Sequence, residues 1–136
     1  MTSETSCTYG FERYLPRATF EDALEKVTAA LKQEGFGILT QIDVKDTLKK
    51  KLDVDFRRYL ILGACNPPLA HQALSADPQI GLLLPCNVVV QENPRGGVTV
   101  SIADPRVMFS LVNNPRLAPV VEDVDQRLRR VIASLD

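Results

Sequence analysis

Two of the three cysteines and the sole histidine of this chain fall within one segment, ILGACNPPLAHQALSADPQIGLLLPCNVVV, residues 61–90. Thiols and an imidazole are the side chains that bind soft metals, exchange disulfides or carry sulfur, so Cys65, His71 and Cys86 are the first candidates for chemistry. A metal reading needs all three to converge. Five residues separate Cys65 from His71 and fourteen separate His71 from Cys86, a spacing that matches no compact zinc motif and supplies no fourth ligand. No metal is therefore expected, and these three are only the residues that one would use. A thiol reading makes Cys65 the reactive group and Cys86 its supporting or resolving partner. Against both stands the reading as packed small hydrophobes, because free cysteine is among the most buried residue types.

Cys65 ends an apolar run, one residue before Asn66 and Pro67, which have the order of a helix cap and a first helical residue. Its sulfur is then expected near the unpaired N–H groups and positive end of that helix, a place that favours the thiolate. Cys86 shares a strand-period face with Leu82, Leu84, Val88 and Val90, which points it to a core or an interface. The two thiols approach only if their strands are antiparallel neighbours. Asn66 and Asn87 each follow a cysteine, which makes Cys65, Asn66, Cys86 and Asn87 the candidate ligand-binding set, with the amides as polar anchors. The alternative is that Asn66 only caps its helix and Asn87 only satisfies a strand end. His71, about one turn into the helix, reads as a surface or boundary residue. No Gly-rich phosphate loop, GxSxG or two-histidine motif occurs. Carboxylates such as Glu12, Glu21, Asp22 and Glu25 stand at solvated spacing. No catalytic residue is assigned and no cofactor is expected.

The elements that must position these residues follow from hydropathy and punctuation. YGFERYL, residues 9–15, alternates into a first strand with Arg13 as the exception, ended by Pro16. TFEDALEKVTAALKQEG is an amphipathic helix opened by Thr19 and Asp22 and closed by Gly35. FGILTQID, residues 36–43, reads as a second strand with Phe36, Ile38, Thr40 and Ile42 on one face, and Asp43 caps a short helix ending in Lys49–Lys51. FRRYLILGA, residues 56–64, is a third strand, apolar on both faces after Tyr59 and so interior to the sheet. A helix from Asn66 to about Ala76 follows, then strands GLLLPCNVVVQE and GVTVSIA around an NPRGG hairpin loop. Asp104–Pro105 opens a helix through Val112, and Asn114–Pro115 opens the last, whose apolar stripe includes Val120, Val124, Leu128 and Val131. This order predicts an α+β domain with helices mainly on one face of a five-stranded sheet and a long C-terminal helix.

At 136 residues the chain suits one domain, since domains most often run about 100 to 150 residues. Residues 1–8 read as a disordered leader carrying Cys7 as a stray exposed thiol, and residues 9–136 as the single domain. Apolar residues make up 45% and no run approaches the length of a membrane span. MTSETSCTYGFERYLP lacks the basic-then-apolar order of a signal peptide, so a soluble protein of the cytoplasm is expected. A net charge of −1 provides no global field for a polyanion, so neither nucleic acid nor membrane is an expected partner.

The segment GFGILTQIDVKDTLKKKLDVDFRRYLILGACNPPLAHQAL followed by IGLLLPCNVVVQE resembles the family known as domain of unknown function 302, with GACNP and LLPCNV at matching separation. The resemblance runs from about Tyr9 to Asp136. It implies a TATA-binding-protein-like α+β fold, a single curved, largely antiparallel sheet with helices against it, and it implies dimers. It assigns no biochemical role, and fold alone cannot supply one. The resulting expectation is an uncharacterised, non-enzymatic, homodimeric module that takes a small-molecule ligand or a protein partner near Cys65 and Cys86. The alternatives are a thiol-dependent redox or sulfur-handling protein and a metal-binding protein.

Overall fold

The structure is a computed structural model and describes residues 7–135. Five strands, β1 (Gly10–Leu15), β2 (Gly37–Asp43), β3 (Tyr59–Cys65), β4 (Cys86–Glu92) and β5 (Val98–Ala103), form one sheet in the order β1-β5-β4-β3-β2. Every neighbouring pair is antiparallel. The helices are α1 (Phe20–Gln33), α2 (Val44–Leu52), α3 (Pro67–Ala76), α4 (Pro105–Met108) and α5 (Ala118–Ala133). The expected α+β sheet with a long C-terminal helix is therefore observed. The first six residues of the expected leader lie outside the described residues. Cys7 is half-buried rather than exposed, with its Sγ 3.4 Å from where a Cβ on Gly10 would stand.

Alternation along the strands makes one face the core. Leu60 and Leu62 of β3 meet Val90 and Val88 of β4, which meet Val100 and Ile102 of β5, and all are buried, as is Ala64 beyond them on β3. Against this face pack Phe20, Ala23, Val27 and Leu31 of α1 and Val120, Val124, Leu128 and Val131 of α5. The α5 stripe is thus consumed inside the monomer. Arg13, the break in the β1 pattern, stands on the same face as Phe11 and Leu15 and donates from a guanidinium nitrogen to the Ile132 carbonyl at 3.2 Å. A long side chain thus reaches the last turn of α5, where it adds a donor to carbonyls that the turn's own N–H groups also serve.

Capping follows the sequence. Asp22 N–H donates to Thr19 Oγ1 at 3.1 Å, and Asp46 N–H donates to Asp43 Oδ1 at 2.9 Å. Gly35 takes a φ of +86° just beyond α1, where an L side chain is disfavoured.

Three expectations change. The register of β2 shifts between Ile38 and Thr40, so Ile38 pairs with Ala64 on the core face while Thr40 pairs with Gly63 and Ile42 with Ile61 on the other. A bulge has inserted one residue, which period-two counting cannot detect. Next, GLLL is not part of a strand. Residues Pro78–Leu83 form a 3₁₀ turn, opened by Asp77 Oδ1 accepting from Gln79 N–H, and β4 begins only at Cys86, after Pro85, which has no N–H to give the ladder. Leu82 is consequently 82% exposed. Finally, α4 has only four residues and stops well short of Val112.

Candidate functional site

The adjacency of β3 and β4 decides the cysteine question. Ala64 pairs with Cys86, so Cys65 at the end of β3 and Cys86 at the start of β4 occupy the same end of the sheet. Both line a cavity of about 320 Å³ between that end, α3 and α5. Leu69 and Ala73 of α3, Val120 and Val124 of α5, and Phe36 before β2 supply buried walls. Leu39, pushed outward beside the bulge, and Leu74 of α3 line it at exposures of 66% and 41%. Among the lining side chains the polar ones are those of Thr40, Asn66 and the two cysteines.

Cys86 is pushed up from an ordinary 9.0 to about 11, chiefly because burial penalises the thiolate and further because a charge on Cys65 would stand close by. Part of the residue is exposed, but its surroundings are apolar enough to keep the thiol protonated. The unpaired N–H groups expected at the helix terminus beside Cys65 are already taken. Pro67 and Pro68 have no N–H, Leu69 N–H donates to Asn66 Oδ1 at 3.3 Å, and Ala70 N–H donates to the Asn66 carbonyl at 2.8 Å. The start of α3 has spent its donors on itself.

Asn66 is built into the scaffold at both ends of its amide. Besides capping α3 with Oδ1, it donates from Nδ2 to the Glu34 carbonyl at 3.3 Å. Arg127 donates to the same carbonyl at 2.9 Å, and Arg130 grips the Glu34 carboxylate with contacts of 3.1 and 2.8 Å. That hydrogen bonding holds the Glu34 carboxyl below the usual carboxylate range. The node ties the end of α1, the start of α3 and the middle of α5 together beside the cavity.

Asn87, Cys86's neighbour, is exposed and belongs to a second cavity of about 180 Å³, bounded by Pro105, Met108 and Phe109. Cys86 lines both. The four candidate ligand residues are thus divided, three on the larger cavity and Cys86 with Asn87 on the smaller. His71 is exposed on α3 and lines neither, so the structure does not unite it with the cysteines. Its place follows from helical spacing: Leu69 and Ala73 take the inner face. Among the described residues no group of three or more His, Cys, Asp and Glu is arranged to hold a metal ion.

Two features escaped the sequence. Gly63 sits where a Cβ would collide with Thr40 Oγ1 and stand 2.8 Å from Pro85 Cγ, so the rim closes tightly over β3. Asp125 is fully buried in α5, against the expectation that carboxylates are solvated. Its Oδ2 lies 3.0 Å from Arg129 Nε and 3.3 Å from an Arg106 nitrogen, and its Oδ1 has no hydrogen-bond partner among the described residues. A signal existed in the i, i+4 spacing to Arg129 and in the flanking stripe residue Val124.

No curated protein matches the chain. A crystal structure of an uncharacterized conserved protein DUF302 from Bacillus stearothermophilus is similar to it at 27% identity with a TM-score of 0.83, covering 93% of this chain and 98% of that one. The family described as Domain of unknown function DUF302 matches residues 11–135, nearly the whole of the sheet and helices that build the cavity, and the chain belongs to that family.

Proposed function

We propose that this protein is a non-enzymatic accessory module, acting as a homodimer, that holds a small molecule in the cavity beside Cys65 and Cys86. The observation that carries the reading is the cavity itself, about 320 Å³ with buried apolar walls and an open side. Ligand sites are concave and mostly apolar, usually about 300 to 1,000 Å³, with a few fixed polar groups. A Cys86 thiol kept protonated by burial suits holding a ligand better than attacking one. The dimer reading draws support from the row Ile42, Ile61 and Val89, paired across three strands on the face away from the core, and from the outermost places of β1 and β2 in the sheet among the described residues. No nucleic-acid role is proposed: in α5, Arg127, Arg129 and Arg130 are each paired with a carboxylate.

The shared lining of the two thiols also supports a second reading, in which Cys65 carries sulfur or forms a bond with Cys86. Mass spectrometry of the purified protein separates the two. A non-covalent adduct in the native spectrum, lost from Ala70→Phe, is expected for the first reading. A persulfide or a two-proton mass loss mapped to Cys65 and Cys86 would replace it with the second.

A further inference from the structure

We propose that the cavity selects uncharged, predominantly apolar molecules and discriminates against the same skeleton bearing an ionised group. The inference rests on the small-ligand reading above and narrows it.

Among the described residues the lining carries no Lys, Arg, His, Asp or Glu. An ion placed there exchanges water for carbon and finds no counter-charge, which is strongly unfavourable. The surrogate for a cation in many anion sites is a helix N-terminus. Here α3 starts against the cavity, yet two prolines remove its first donors and Asn66 occupies the next two, with Oδ1 and with its backbone carbonyl. The nearby arginines are committed elsewhere: Arg127 to Asp123 and the Glu34 carbonyl, Arg130 to the Glu34 carboxylate.

A ligand whose charge stayed at the mouth finds no counter-charge among the lining residues either. The exposed ones, Leu39, Thr40, Leu74 and Gly81, are all uncharged. What the walls offer is dispersion contact, two soft sulfurs and the Thr40 hydroxyl. Cys86 enters this set as a thiol and not as an anion that would attract a cation. A neutral aromatic or alicyclic molecule, with at most one small polar substituent, meets those terms.

Two fluorescent probes of matched skeleton test the selection: N-phenyl-1-naphthylamine, which is uncharged, and 1-anilinonaphthalene-8-sulfonate, which adds an anion. Each is titrated into the full chain and into Ala70→Phe, which thrusts a ring from α3 into the cavity, with Leu39→Trp as the second filling variant should the first lose its cooperative melt. The expected result is saturable binding of the neutral probe, at least tenfold weaker in the filled variant, and at least tenfold weaker binding of the sulfonate to the native chain. Equal affinity for the two probes, with both displaced by filling, would leave the cavity as a ligand site and overturn its preference for uncharged molecules. Binding of neither probe, or binding indifferent to both filling variants, would overturn the small-ligand reading itself.

Discussion

Asn66 Nδ2 donates to the backbone carbonyl of Glu34 at 3.3 Å, across 32 positions of chain, while its Oδ1 caps α3 through Leu69 N–H. One amide therefore joins the end of one helix to the start of another, and the residue after Cys65 has a structural task that does not depend on any ligand.

Replacing it tests that task. Asn66→Ala removes a cap worth about 1 kcal/mol and a buried hydrogen bond worth about as much, so a loss of about 2 kcal/mol is expected by chemical denaturation. Gly35→Ala should cost a comparable amount, because its φ is +86° and its new Cβ would stand 2.9 Å from Asn66 Nδ2. The double variant should lose less than the sum, since both act on one contact.

Val124→Asp and Leu128→Asp place a charge in the buried stripe of α5. Each should cost several kcal/mol and abolish a cooperative melt near the native temperature. Lys50→Ala, which breaks only an exposed pair with Asp46 at 2.9 Å, should change stability by less than about 0.5 kcal/mol.

Asp125 predicts an asymmetry. Its partners Arg106 and Arg129 are half exposed and can return to water, whereas its own carboxylate cannot. Arg106→Ala with Arg129→Ala leaves that charge buried and alone and should cost about 3 to 5 kcal/mol, against clearly less for Asp125→Asn. Urea melts of both proteins compare the two directly. Equal losses would contradict the assignment of the burial cost to the carboxylate.

Cys86 predicts a pH dependence. Its thiol titrates near 9.0 when unfolded and near 11 when folded, so the folded state favours the protonated form. The associated stability is fully present below pH 9 and is lost as pH rises through 11, up to roughly 3 kcal/mol for two pKa units. Cys86→Ala should flatten this part of the stability–pH curve between pH 9 and 11 relative to the native chain. Iodoacetamide should reach Cys86 at neutral pH only after unfolding, as site-resolved mass spectrometry would record.

The dimer proposal is read by light scattering at micromolar concentration. Twice the chain mass is expected for the native protein. Ile61→Asp, in the middle of the outer apolar row and only half-buried, should give the monomer with its fold retained. A monomeric mass for the native chain, independent of concentration, would end the proposal.

Much of this architecture was legible in the sequence because it is encoded locally. Thr19, Asp43, Asn66, Asp104 and Asn114 cap where side-chain chemistry dictates, and the α5 stripe needs only helical spacing to be found. What the chain could not disclose lies where two distant segments meet. The bulge at Leu39 shows only in the pairing of β2 with β3, and it turns Thr40 and Ile42 to the other face. GLLL has strand-like composition, yet Asp77, Pro78 and Pro85 leave it as a turn, since ladder donors and a helical cap outweigh propensity. Whether Cys65 and Cys86 share a place depended wholly on strand pairing: antiparallel neighbours bring the end of one beside the start of the other, and parallel ones would have parted them. Local residues decide which segments become helix and strand. Tertiary pairing alone decides that two thiols, separated by 21 positions and a helix, line one cavity whose described walls hold no counter-ion.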